Sequence, residues 1–444
     1  MKTPSPFVPA QKAGKNSLKL IIATGLLALL PLIIFRKQIG ELFWFGDDWD
    51  QLDQIQRLGF WNWIWQVVGE NFAPFSKSLW GGSVFLFRGS YFGMIFILWL
   101  THAVNTIQLG RLLQLYEFPV GSILASQIVF GLTPCNIETL GWATQWPAVL
   151  ATSFLLFAFE WILRVRPFIP TCVSKKTERI PAAIIVSLST ASALSFSRGV
   201  LTGLFTGSAC FWPTENKTPF FRRCIFATIF LLPAIIATGM IMRFSSGNHQ
   251  HLVGHLSDAA DYGLWYFCMN PFYLLLEMDS WGTRTIVLLG TIKIAAIAWS
   301  LFRSETPQRR LLIFLVLFDV GNAALTGVGR YHTGLSTTIS SRYQYNSLLA
   351  TLPFAALCFD HMWSRLAFVK RRPTFAYTAF LLVLALWFCH RWKEEVSGFC
   401  GSRGSETREL LFHNSAPPEN GAIPGIPYFT TKRAKELVDT YNLH

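Results

Sequence analysis

The chain of 444 residues is 52% hydrophobic and only 14% charged, with Trp and Phe prominent and a formal net charge of +13. That balance describes an integral membrane protein and excludes a soluble domain. The basic excess does not imply nucleic acid as a partner, because Lys and Arg recur in short clusters between apolar runs, the way a many-spanning protein marks its cytoplasmic loops.

Lys2, Lys12, Lys15 and Lys19 precede an apolar run from Leu18 to Phe35. The run is long for a signal peptide and no small-residue cleavage site follows it, so it reads as a retained first span after a cytoplasmic segment, 1–17. A first outer loop, 37–90, comes next. It opens on Asp47 and Asp48, continues as a Trp-rich amphipathic stretch, and closes on the turn Glu70-Asn71-Phe72-Ala73-Pro74-Phe75. Adjacent carboxylates at a membrane surface repel, and one tends to keep its proton unless a cation sits between them. A general base or a metal ligand needs that state.

Further apolar runs lie at about 91–113, 118–134, 147–164, 181–197, 199–213, 224–242, 284–302, 311–329, 344–360 and 374–390. The expected fold is therefore all-α and membrane-embedded, with about eleven transmembrane helices, each near the ~17–25 residues a bilayer requires. On this count the basic clusters around Arg111, Arg164 to Arg179, Lys217 to Arg223, Arg303 to Arg310 and Arg365 to Arg372 all face the cytoplasm. The run Tyr262 to Met278 would break that parity. It carries Asn270-Pro271 and four aromatic residues, and reads as an interfacial or re-entrant helix on the outer face. Residues 18–391 form the multi-span unit, and 392–444, with several Pro and Gly, form a short, loosely ordered extracytoplasmic tail.

Polar residues sort by depth. Lys293 and Asp319 lie mid-span in consecutive runs joined by a short loop, so a buried ion pair is expected, a lone charge in lipid being costly. His102 and Asn105 suit helix-to-helix hydrogen bonds. The outer face collects Glu138 in the loop Pro134 to Trp142, Arg198, and Arg330 and Arg342-Tyr343 around a late loop. Arg beside Tyr at the membrane boundary suits a phosphate, because guanidinium offers paired donors in a fixed plane. His249, His251 and His255 read as a polar outer loop, since no HExxH motif accompanies them. There is no Gly-rich loop that would cradle a nucleotide.

In order, these features are one span, an Asp-Asp loop, a Trp/Phe interfacial helix, a Glu-Asn-Phe-x-Pro turn, a span with His102 and Asn105, a Pro-x-x-x-Glu-x-x-x-Trp loop and a late Ser-Arg-Tyr-Gln. The set resembles the GT-C superfamily of integral-membrane glycosyltransferases, which includes protein O-mannosyltransferases and bacterial transferases that modify lipid A. The resemblance implies a transferase of the cell envelope, in the bacterial inner membrane. Its donor would be a polyprenyl-phosphate-linked sugar and its acceptor a lipid, glycan or protein, with the lipid bilayer as its surroundings. By the same resemblance Asp48, or Asp47, is the base and Glu138 the second acidic position. Arg330, Arg342, Tyr343 and Arg198 hold the donor phosphate, and Glu70 and Asn71 lie on the acceptor side. A divalent metal ion held by Asp47, Asp48 and Glu138 is compatible with this chemistry and is left open. Bacterial relatives carry His-x-x-Pro or Arg-Pro where this chain has Asn71-Phe72-Ala73-Pro74, which leaves the acceptor class open. A flippase of lipid-linked sugars explains the spans and the outer arginines but predicts inverted repeats and deep polar groups. A non-catalytic membrane protein of the same fold is the third reading.

Overall fold

The computed structural model describes residues 15–69, 71–165, 176–211, 219–244, 254–278, 282–365, 373–413 and 420–444, and the chain is mostly helical. The first run forms α1 (Lys15–Leu26), then a 3-10 turn and a short helix, Leu30–Ile34, whose first turn takes Pro31 because the proline needs no amide partner there. An irregular stretch leads to α2 (Asp47–Leu58), α3 (Phe60–Ile64) and α4 (Pro74–Leu86). The body follows as α5 (Tyr91–Leu115), α6 (Val120–Leu132), α7 (Trp146–Val165), α8 (Lys176–Ala193), α9 (Val200–Ala209) and α10 (Phe220–Phe244). Then come α11 (Leu256–Met269), α12 (Thr283–Arg303), α13 (Thr306–Arg330), α14 (Ser341–Trp363) and α15 (Pro373–Ser402).

Seven helices among the described residues are long and apolar enough to cross a membrane, and α6 with the segment Pro134–Leu140 makes an eighth, bent by 48°. By length and composition seven or eight spans are supported among the described residues, and the expected eleven is not confirmed. All the runs fold as helices, but α9 has 10 residues, a rise of about 15 Å against a hydrocarbon layer of about 30 Å. Glycine lets this short helix pack closely: a Cβ on Gly203 would stand 2.9 Å from Ala234 of α10, and one on Gly207 2.7 Å from Leu231. Helix α14 is long enough but begins polar, and Gln344, Asn346 and Ser347 are buried inside the bundle.

The deep polar residues are matched. Lys293 Nζ stands 2.5 Å from Asp319 Oδ2, both buried, as the spacing of the two runs implied. The short connection between α12 and α13 carries a capping box of Glu305 and Gln308. His102 Nε2 faces the carbonyl of Gly131, so its Nδ1, 3.0 Å from Tyr345 Oη, is the acceptor. Asn105 donates to that same hydroxyl and to the Val149 carbonyl.

Tyr262 to Met278 does not form one span. Helix α11 stops at Asn270-Pro271, and a short helix, Phe272–Leu275, leads away. Lys293, midway along α12, donates to the carbonyls of Phe267 and Asn270, so the break lies at mid-helix depth.

The tail differs from its expectation. Helix α15 runs past 390 to Ser402, α16 (Ser405–Phe412) follows, and an antiparallel pair, β1 (Ala422–Ile423) and β2 (Ile426–Thr430), leads into α17 (Thr431–Tyr441). Ile423, Ile426, Phe429, Leu437 and Leu443 are buried in the main core, which is why a stretch read as loose is folded. It packs on α2. Arg433 pairs with Asp53 at 2.6 Å, Tyr428 donates to Asp50 at 2.8 Å, and the backbone of His444 bonds with Gly89 and Tyr91.

Candidate active site

The first outer loop turns sharply just before its acidic pair. Gly46 sits at φ 56°, and a Cβ there would lie 2.9 Å from the Trp142 ring, so the turn needs glycine for both backbone and space. Asp47 and Asp48 then open α2, where the helix dipole favours negative charge. Their surroundings differ. Asp48 is fully buried: its Oδ1 accepts from Thr144 N at 3.1 Å, and its Oδ2 lies 3.4 Å from Phe45 N and 3.3 Å from the Tyr91 hydroxyl. Burial pushes its carboxyl well above the usual range, and the charge of Asp47 adds to this. Asp47 is exposed.

The segment after Glu138 joins the acidic loop to the late basic one. Trp142 stacks on Phe45 with ring centroids 5.2 Å apart, and Thr144 two residues on binds Asp48. Arg342 Cζ lies 5.7 Å from the Trp142 centroid and 4.9 Å from that of Tyr343. Arg198 lies 5.6 Å over the other arginine's neighbour, Tyr343, and feels the charge of Arg330. Asp48, Asp47, Glu138, Arg342, Tyr343, Arg198 and Arg330 are thus drawn together at one end of the bundle through contacts across Trp142 and Tyr343.

The individual roles are sharper than the sequence allowed. Glu138 Oε2 accepts from Ser340 Oγ at 3.0 Å and from Arg342 N at 3.2 Å, so it caps the first turn of α14 and fixes the base of Arg342. Asn71 accepts from Ser197 N at 3.1 Å, and Ser76 donates to the Ser195 carbonyl at 2.6 Å, so the turn around 71–76 holds the corner that carries Arg198. Glu70, His249 and His251 lie outside the described residues. His255 pairs with Asp258 and stacks on Tyr331.

Arg403 is a residue that sequence reasoning missed. The extension of α15 brings it against the end of the acidic turn, with its guanidinium 5.7 Å from the Phe45 centroid, so the Phe45–Trp142 stack carries a guanidinium on each ring. The signal was a basic residue in a segment assumed to be loose. Tyr91 was also missed. A hydroxyl-bearing aromatic opening the span after the acidic loop was its only mark.

Among the described residues no carboxylate pairs with Arg198, Arg342 or Arg403. Arg342 Nε, Trp142 Nε1, Thr144 Oγ1 and the Tyr343 hydroxyl are buried without a protein partner. Such groups are costly unless something bonds to them, so together they suit an oxygen-rich ligand. No three His, Cys, Asp or Glu side chains among the described residues converge to hold a metal, and all the contacts of Asp48 are hydrogen-bond donors. The arrangement does not fit a cation at Asp48. Chemically, it offers an exposed carboxylate and guanidiniums joined to it through the buried Phe45–Trp142 stack.

No protein-family model matches the sequence, and no curated protein matches it. A solved structure that resembles the fold is the Archaeoglobus fulgidus oligosaccharyltransferase tethered to an acceptor peptide containing the NVT sequon, with a TM-score of 0.46 and 13% identity over 98% of this chain and 59% of that one. This chain therefore spans about three fifths of that protein's length, and a likeness of this size assigns neither family nor activity.

Proposed function

We propose that this protein is a GT-C-type glycosyltransferase that moves a sugar from a polyprenyl-phosphate donor to an acceptor hydroxyl at the extracytoplasmic face of the membrane. The observation that carries the reading is the contact path from the Asp47-Asp48 turn through Phe45 and Trp142 to Arg342, Tyr343 and Arg198. Displacing a lipid phosphate from an anomeric carbon takes a base for the acceptor hydroxyl and cations for the leaving phosphate, facing each other across the sugar. This path supplies both.

Asp47, the exposed acid, is the base. Asp48 is its anchor, locking the first turn of α2 to residues 143–144. Arg342, Arg198, Arg330 and Tyr343 hold the donor phosphate, the buried Phe45–Trp142 stack ties the acidic turn to Arg342, and Glu138 orients Arg342. Asn71 supports the Arg198 corner, and with Glu70 it borders the acceptor side. The outer sidedness of the site, with the N-terminus in the cytoplasm and residues 392–444 outside, follows from the basic clusters of the opposite loops. None of these roles calls on a bound metal, and the chelator arm of the test below reads whether one takes part.

The reading is tested with membranes containing the intact chain and radiolabelled polyprenyl-phosphate sugars, with and without chelator. Replacing Asp47 and Asp48 together with Asn should abolish sugar transfer at unchanged expression. Retained transfer refutes the enzyme reading. Movement of the labelled lipid across the bilayer that survives the double change, with no transfer by the wild type, supports a flippase instead.

A further inference from the structure

The late basic loop does not stand by itself. Tyr266 of α11 donates to the Tyr343 carbonyl at 2.5 Å, and Asn322 of α13 donates to the Tyr266 hydroxyl at 2.7 Å. Asn270 Nδ2, at the end of α11, donates to the carbonyl of Thr338 in the late loop at 2.8 Å and back to the Tyr266 carbonyl at 3.0 Å. Higher on the same helix, the Tyr262 hydroxyl meets Thr337 Oγ1 at 2.9 Å. Helix α11 lies flush on α13, where a Cβ on Gly327 would come 2.3 Å from the Ala259 carbonyl. It is a strut beneath the segment that carries Arg342.

The root of the strut is held by charge. A helix that ends inside a bundle leaves its last carbonyls without amide partners. Lys293 Nζ answers two of them, Phe267 O at 2.8 Å and Asn270 O at 2.7 Å, while Asp319 stands 2.5 Å away and Ser347 Oγ at 3.3 Å. An ion pair serving only to neutralise two buried charges would not need to reach those carbonyls.

We propose that Lys293 and Asp319 are positioning residues: the ammonium, oriented by the carboxylate, fixes the end of α11, and α11, through Tyr266 and Asn270, fixes the backbone on which Arg342 and Tyr343 stand. This rests on the proposed function only for the ligand that the basic loop binds, a lipid phosphate. The mechanical coupling stands apart from it.

The test uses the full-length chain in membranes or detergent and the variants Tyr266→Phe, Asn270→Ala and the double change Lys293→Met with Asp319→Leu, which leaves no lone buried charge. The expected kinetic result is a rise of about tenfold in KM for a radiolabelled polyprenyl-phosphate sugar with kcat within about twofold, because displacing a binding group weakens positioning before it removes chemistry. In the ligand-free protein, hydrogen exchange of the amides in 335–343 should speed up in all three variants, while those of α5 stay protected. A Tyr266→Phe chain with wild-type exchange in 335–343 and unchanged KM overturns the proposal, as does a double variant that only lowers the unfolding temperature. The exchange measurement needs no substrate. Faster exchange in a protein that turns over no donor upholds the strut and defeats the glycosyltransferase reading.

Discussion

Charges deep in the bundle and charges at its Asp47 end are treated differently. Lys293 has Asp319 at 2.5 Å, with the carbonyls of Phe267 and Asn270 as further acceptors. At the Asp47 end, Arg198, Arg342 and Arg403 lie against aromatic rings without a carboxylate among the described residues, and Asp47 is exposed. Burial makes an unmatched charge too costly to keep, so matched pairs inside are what stability alone would select. Unmatched ones gathered at one end from segments more than 290 residues apart by number, 47 and 342, are not, and the proposed function accounts for them by a ligand that supplies the missing partners.

That contrast can be broken most severely at Asp47. Asp47→Asn should cut transfer by about 10²–10⁴-fold, the range a general base contributes, with little effect on unfolding temperature because the side chain is exposed. A variant with near-normal initial rates would return Asp47 to the solvated surface. Arg342→Ala comes next. Loss of one cation from the leaving phosphate should lower kcat/KM by about 10²–10³-fold, and Arg342→Lys should restore part of it, since lysine keeps the charge and loses the planar fork. Equal damage from Ala and Lys would point to packing on Trp142 as the role of Arg342.

Asp48 sharpens the comparison from the other side, because it is an acid at the site end that is treated like a deep one. Its carboxyl is raised by burial, so its contribution to stability is full below about pH 4, the unfolded value, and is lost as pH rises through the folded value. Thermal stability of the wild type should therefore fall as pH rises above that acid limit, and Asp48→Asn should flatten the dependence. A slope unchanged by the substitution would mean that Asp48 does not titrate in the folded chain. The smallest effect is expected at Arg403, where an exposed guanidinium on a ring is worth about 0.5–1 kcal/mol. Arg403→Ala should leave the unfolding temperature nearly unchanged and lower kcat/KM by about three- to tenfold if Arg403 touches substrate, and leave kcat/KM unchanged if it only covers Phe45.

Much of the frame was legible because it rests on local signals. The long apolar runs, the break at Asn270-Pro271 and the partnership of Lys293 with Asp319 follow from hydrophobic length, proline and the cost of a lone charge in lipid. The acidic and basic residues of the proposed site could also be named from the sequence, through the side on which their loops are expected to fall. What was hidden depends on contacts distant in sequence. Nothing local to Glu138 shows that it caps α14, or that Asn71 holds the Arg198 corner, and nothing local to Asp47 and Asp48 shows which one is buried. The tail misled because its Pro and Gly residues mark turns, while the apolar residues between them find a core only when α2 is beside them. Apolar length alone did not show that the run 199–213 folds as a 10-residue helix packed through glycine.

The central claim is that Asp47 and Arg342 act on one substrate, and a double-mutant cycle on donor turnover tests it most directly. With initial rates measured for the wild type, Asp47→Asn, Arg342→Ala and the combination, the account predicts that the double variant is hardly slower than the slower single one, because groups acting on one transition state are not additive. Two losses that multiply independently, or an Asp47→Asn rate equal to that of the wild type, would contradict it.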